Sequence, residues 1–178
     1  MTGSERLRLF CALRLPRPTV ERLAAWQASA LPRGRLVAAD SLHITLAFLG
    51  SRPASDMPAI VDALRVAAID AGELRLRVRR YRETRSVGML VLDDQSGRAA
   101  AFAAQLHDGL SALGVYGREA RPWLPHVTVL RFRERPHLQP PLPELGEVAP
   151  SDAAVFMSHL RPAGALYTRI DDVPLGGR

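Results

Sequence analysis

The sequence predicts an α+β domain in which two sheet lobes face each other across a cleft. Two observations lead there. Strand-like and helix-like apolar patterns interleave along the chain instead of segregating into blocks. The segment Leu42-His43-Ile44-Thr45-Leu46 returns in similar form as Pro125-His126-Val127-Thr128-Val129, 83 residues later and near half of the 178-residue length. That repeat gives each half of the chain its own sheet, and the proline-rich residues 133 to 150 read as an irregular, partly extended connection.

The elements follow in order. Leu7 to Leu15 reads as a strand, with Leu7, Leu9, Cys11, Leu13 and Leu15 alternating against Arg8, Phe10, Ala12 and Arg14, and Pro16 and Pro18 after it. Thr19 to Leu31 reads as a helix with Val20, Leu23, Gln27 and Leu31 on one stripe, closed by Pro32 and Gly34. Leu36 and Val37 suggest a short strand. Leu42 to Leu49 is a strand that Gly50 should stop. Ser55 is the expected cap of a second helix running to about Ala71. Glu73 to Tyr81 alternates Leu74, Leu76 and Val78 against arginines, and Ser86 to Leu92 is its expected partner strand. Ala99 to Leu113 is a third helix ended by Gly114. Leu124 to Phe132, Ala153 to Leu160 and Ala165 to Ile170 complete the strands.

Composition excludes several classes. No apolar run approaches the ~20 residues of a membrane span, and Met1 to Leu9 lacks the apolar core and cleavage site of a signal peptide. The expected location is the cytoplasm. One cysteine, Cys11, permits no internal disulfide and no cysteine-rich zinc site, and its neighbours read as a buried strand. The net charge is +6, with arginine as the sole source of side-chain positive charge besides histidine. Base composition accounts for most of the arginine bias. Guanidinium groups also bind phosphate in a bidentate fork and stack on bases, so a polyanion such as RNA would be drawn to a basic surface, but charge alone does not separate RNA binding from solubility.

The two His-x-Thr segments carry the chemistry. Residues two apart share a face of a strand, so His43 travels with Thr45 and His126 with Thr128, while Ile44, Leu46, Val127 and Val129 point into a core. Imidazole suits proton transfer near neutral pH, and a threonine hydroxyl can donate to a phosphoryl oxygen. Two imidazoles on opposite sides of a phosphorus match in-line displacement. Arg131 lies five residues after His126, an odd offset that puts it on the opposite face of an ideal strand, so a bend is required for it to reach the phosphate. Two histidines could instead begin a zinc site, but neither motif has a carboxylate or cysteine at ligand spacing. His107 reads as an exposed helix residue, and His137 and His159 as structural or surface residues.

These residues resemble a known family. Leu42 to Gly50, LHITLAFLG, looks like the first signature of the RNA 2′,3′-cyclic phosphodiesterases, also called 2′-5′ RNA ligases, within the two-histidine phosphoesterase superfamily. Arg121 to Arg131, RPWLPHVTVLR, resembles the second signature. The opening Arg8 to Leu13 and the closing Ser158 to Tyr167 match as well, so the resemblance runs nearly end to end. It implies one bilobal domain over residues 1–178, with two pseudo-symmetric antiparallel sheet lobes flanked by helices. One lobe carries His43 and the other His126. It implies hydrolysis of an RNA 2′,3′-cyclic phosphate to a 2′-phosphomonoester without metal or other cofactor, with reversible 2′-5′ joining as the same steps run backwards. His43 would donate a proton to the leaving 3′ oxygen, and His126 would accept one from water. Thr45, Thr128 and Arg131 would hold phosphoryl oxygens. Trp123, Val129, Leu36 and Ser41 depart from the residues common in the family. Phe48 and Trp123 are the aromatics nearest the motifs, and burial is the first expectation for both.

Two alternatives stay open at this stage. The same site could act on other 2′-5′ linkages or small cyclic nucleotides, or the cleft could bind RNA ends without turnover. No Gly-rich phosphate loop appears, since Gly34 and Gly50 are isolated. No obligate protein partner is evident.

Overall fold

In a computed structural model the described residues are 5–176. The leader expectation for Met1 to Leu9 thus falls partly on residues 1–4, outside them. The order is β1 (Arg6–Arg14), α1 (Arg17–Ala30), β2 (Arg35–Leu36), β3 (His43–Pro53), α2 (Met57–Ile69), β4 (Arg77–Glu83), β5 (Val87–Asp93), α3 (Arg98–Ala112), β6 (His126–Arg131), β7 (Asp152–Arg161) and β8 (Gly164–Pro174). Every element expected from the pattern is present, with boundaries moved by a few residues.

The strands join as β4-β5-β6-β3-β1-β7-β8, with β2 also on β6, and all the pairings are antiparallel. One junction differs from the others. The pairing of β3 with β6 consists of Ile44 against Val127 alone, whereas β1 pairs with β3 over nine positions. The sheet is therefore two antiparallel halves, β3-β1-β7-β8 and β2/β6-β5-β4, that meet at the centres of the two His-x-Thr motifs.

Alternation decides which face is core. Ile44, Leu46, Val127 and Val129 are buried in one apolar cluster with Leu23 of α1, Ile60 and Leu64 of α2, and Phe102 and Leu106 of α3. The helices thus cover the face opposite the histidines. Burying side chains of this size contributes about 1.5–3 kcal/mol each relative to exposure, and this dry layer holds the motif backbones. Among the described residues no helix is long and apolar enough to cross a membrane.

Four sequence expectations need correction. The sheet halves do not follow the halves of the chain: β7 and β8 from the C-terminal end join β1 and β3, while β4 and β5 join β6, because each strand pairs with the edge its turn or helix returns it to. Gly50 does not stop β3. The strand runs through it to Pro53, with Leu49 left unpaired as a bulge and Gly50 at φ 69°; that left-handed conformation suits glycine and lets a bulged strand continue. Ser55 does not cap α2. It lies in a 3-10 turn, Ala54–Asp56, and no side-chain cap bond forms at Asp56. The Glu73 to Tyr81 segment enters the sheet only at Arg77, because Leu76 bridges to Val148 instead. The proline-rich connection is irregular as expected, and it is pinned to α1 by Trp26 Nε1–H donating to the Pro141 carbonyl at 2.7 Å.

Candidate active site

The two motifs are built alike. From each histidine onward burial runs half-buried, buried, half-buried, buried, buried, exposed: His43 to Phe48 in β3, and His126 to Arg131 in β6. Each ring is anchored the same way, since His43 Nδ1–H donates to the Ser41 carbonyl at 2.7 Å and His126 Nδ1–H donates to the Leu124 carbonyl at 2.8 Å. With Nδ1 holding the proton, the neutral ring offers Nε2 as a base. His43 Nε2 accepts from the Thr45 hydroxyl at 3.0 Å.

The Ile44–Val127 pair sets the mutual position. Continuing that register one residue either way brings His43 opposite Thr128 and Thr45 opposite His126. All four lie on the face away from the core. Trp123 ties the halves together, with its Nε1–H donating to the Thr45 carbonyl at 3.0 Å; it is half-buried against the core, close to expectation.

Arg131 obtains the bend it needs. Gly88 pairs with Leu130 and Met89 with Thr128, so Val129 is an extra residue in β6. The bulge inverts the alternation: Leu130 joins Val129 in the core, and Arg131 emerges on the histidine face, exposed. The first motif repeats this. Cys11 pairs with Ala47 and Ala12 with Thr45, so Leu46 is the extra residue. Phe48 thereby becomes the counterpart of Arg131. It is not buried as expected but 49% exposed, with the Arg8 guanidinium 4.7 Å from its ring centre.

Two buried polar side chains hold these bulges, and neither is recognisable as functional from the motifs. A carbonyl displaced by a bulge needs a donor, and the Val129 carbonyl has one on the backbone, the Val37 N–H at 3.1 Å. His107 of α3, expected to be exposed, is buried and its Nε2–H donates to the Leu46 carbonyl at 2.7 Å. Gln27 of α1 is buried and its amide donates to the Val129 carbonyl at 2.7 Å and to the Val37 carbonyl at 3.1 Å. The signal that could have found them is a polar residue on the apolar stripe of a helix, as Gln27 is between Leu23 and Leu31.

His43 sits in an aromatic, buried setting. His43 packs against Phe10 at 5.0 Å and edge-on to Tyr167 at 5.5 Å. Burial pushes its pKa down to about 4, the Ser41 carbonyl opposing this and the positive charges of His126 and Arg131 adding to it. A neutral His43 ring is thereby favoured at pH 7. Other candidates lie elsewhere. Cys11 is buried, and burial pushes its thiol up to about 12, away from nucleophilic use. His159 is exposed on β7, and His137 lines a separate groove. Among the described residues no three His, Cys, Asp or Glu side chains cluster as metal ligands.

Comparison with known proteins adds an independent line. The model of the 2′-5′ RNA ligase superfamily matches residues 15–161. The RNA 2′,3′-cyclic phosphodiesterase of Escherichia coli (strain K12) is 33% identical over 144 residues, covering 72% of this chain and 73% of that protein. The Thermus thermophilus protein of the same name is 33% identical over 185 residues, covering 96% and 91%. Among solved structures, E. coli LigT in its apo form aligns with a TM-score of 0.79 at 28% identity, covering 97% of this chain and 99% of that one. A structure from Thermus thermophilus aligns at 0.81 and 28%, covering 96% and 99%.

Proposed function

The chain belongs to the 2′-5′ RNA ligase superfamily, and from that premise we propose that it hydrolyses RNA 2′,3′-cyclic phosphate ends to 2′-phosphomonoesters by two-histidine acid–base catalysis. The observation that carries this is the seam: one backbone pair, Ile44 with Val127, holds two identically anchored histidines and two threonines on one face. The relatives named RNA 2′,3′-cyclic phosphodiesterase support the substrate class. The reading takes the chain as one bilobal domain, acting in the cytoplasm.

His126 Nε2 accepts a proton from water as the water oxygen attacks phosphorus. The P–O3′ bond breaks, and His43 Nε2 delivers a proton to the departing O3′. Thr45, Thr128 and Arg131 donate to the phosphoryl oxygens, where fixed donors act without reorganising. Thr45 must then turn its hydroxyl from His43 to the phosphate. The exposed Phe48 ring offers a stacking face for the terminal base. With an RNA 5′-hydroxyl in place of water, the same steps form a P–O5′ bond as P–O3′ breaks and so make a 2′-5′ linkage; run backwards, the 3′-hydroxyl attacks phosphorus and the 5′-hydroxyl leaves.

The test is product analysis on an RNA ending in a 2′,3′-cyclic phosphate, with a chelator present. We expect a 2′-phosphomonoester from the parent protein. His43→Ala and His126→Ala should each slow turnover by about 10²–10⁴-fold, the usual contribution of a positioned acid or base. Undiminished activity in either variant would refute the two-histidine roles.

A further inference from the structure

Next to Arg131 lies a groove of about 970 Å³ that does not include either motif histidine. Its walls carry Arg33 and Arg35 from one side and Arg131, Arg133 and Arg135 from the other. Only Glu134 among the lining residues is acidic. The volume is at the upper end of what holds a drug-sized molecule, and far more than one phosphate needs.

The arrangement crowds like charges together. Arg35 of β2 pairs directly with Arg131 of β6, and like charges directly opposite on a sheet destabilise it. Among the described residues no carboxylate relieves the pair: Arg35 donates to the Ala163 carbonyl at 2.8 Å, in the turn between β7 and β8. Arg33, Arg131 and Arg133 make no ion pair or side-chain hydrogen bond among the described residues. Arg135 does have a partner, Glu83 at 3.2 Å.

The wall bearing Arg133 and Arg135 is held firmly. Glu83 of β4 is buried, and its carboxylate accepts from the backbone N–H of His137 at 2.9 Å, of Leu138 at 2.8 Å and from Arg135 Nε. These bonds fix His137 at φ 55°, left-handed for a non-glycine residue. Strain of this kind persists only where surrounding structure imposes it. A buried carboxylate thus fixes the backbone that carries Arg133 and Arg135.

We propose that this groove binds the phosphodiester backbone of the RNA strand whose cyclic end occupies the histidine site. The inference rests on the function proposed above and adds where the body of the substrate lies. The groove begins at Arg131, the residue set at the scissile phosphate, so the neighbouring phosphates of one strand are the anions closest at hand. Guanidinium forks match phosphate oxygens. Phe132, Pro136 and Pro162 in the lining give apolar faces to ribose and base.

The test compares kcat/KM on a 2′,3′-cyclic mononucleotide and on a six-nucleotide RNA with the same cyclic end, between 50 and 200 mM salt. The parent protein should prefer the hexamer at least tenfold, the preference shrinking as salt rises. In Arg33→Gln/Arg133→Gln, hydrolysis of the mononucleotide should stay within twofold of the parent. Most of the hexamer advantage should vanish, and the log–log salt slope should fall by about 1.4, or ~0.7 for each phosphate no longer neutralised. Equal kcat/KM on both substrates in the parent, or a parallel loss on both in the variant, would overturn the groove assignment. So would a 5′-hydroxyl RNA that stimulates turnover while the two substrates remain equal, since it would assign the groove to a second strand. Absence of turnover on either substrate by the parent would instead refute the proposed function.

Discussion

His43 illustrates how one residue's surroundings bear on the chemistry. Its pKa of about 4 lies below the ~6.5 of an unfolded histidine. A general acid must carry a proton, so the phosphate's negative charge has to offset burial and the nearby positive charges of His126 and Arg131. Sulfate, which does not titrate near neutrality, should therefore raise the His43 midpoint when followed by NMR; an unmoved midpoint would contradict this coupling. The same shift makes a stability prediction. Between about pH 4 and pH 6.5 the unfolded chain binds the extra proton, so stability rises with pH across that window and falls as the solution is acidified. His43→Gln should lose that part of the slope in urea titrations at pH 4.5 and 7. The identities of His43, Thr45, His126 and Thr128 are readable from spacing because strand alternation is strict there. Phe48 defies the same reading because a bulge changes the phase, and a bulge has no fixed one-residue signature.

Elements supply what the motifs cannot. Two strands, β3 and β6, each insert an extra residue three positions after the histidine, and two helices, α1 and α3, each send a buried donor to that residue's carbonyl. His107→Leu leaves the Leu46 carbonyl without its donor, and should cost about 1–3 kcal/mol in denaturant unfolding. His107→Gln, with an amide N–H at similar reach, should recover most of it. Gln27→Met should lower kcat/KM in the parent but have little further effect once Arg131→Ala is present, since its influence on activity runs through Arg131. Independent, multiplicative losses in that double-mutant cycle would contradict the role. The order and type of elements are legible because their apolar periods are clean. The donors are not, because which carbonyl leaves a ladder depends on where two strands part.

At the scale of the whole molecule, two antiparallel halves are joined in the sheet by the Ile44–Val127 pair, with a continuous helix-covered core beneath. The continuity of that core predicts cooperative unfolding. Ile44→Ala, at a site with no exposure, should cost about 2–5 kcal/mol while leaving one transition that coincides by fluorescence and circular dichroism. Two separated transitions would show that the halves fold independently.

The sequence by itself determined the α+β class, the near-repeat, the two histidine–threonine pairs and the family, because these follow from local periodicity and from residue identities at short spacing. It also named Arg131, but only with the condition that residue had to meet. Tertiary structure decided that the condition is met, that Phe48 faces out as its counterpart, that His107 and Gln27 turn inward, and that the arginines from residues 33–35 and 131–135 share one groove. Each of these depends on contacts between segments 60 to 130 residues apart or on a one-residue slip in pairing. Periodicity along a single strand carries no record of either.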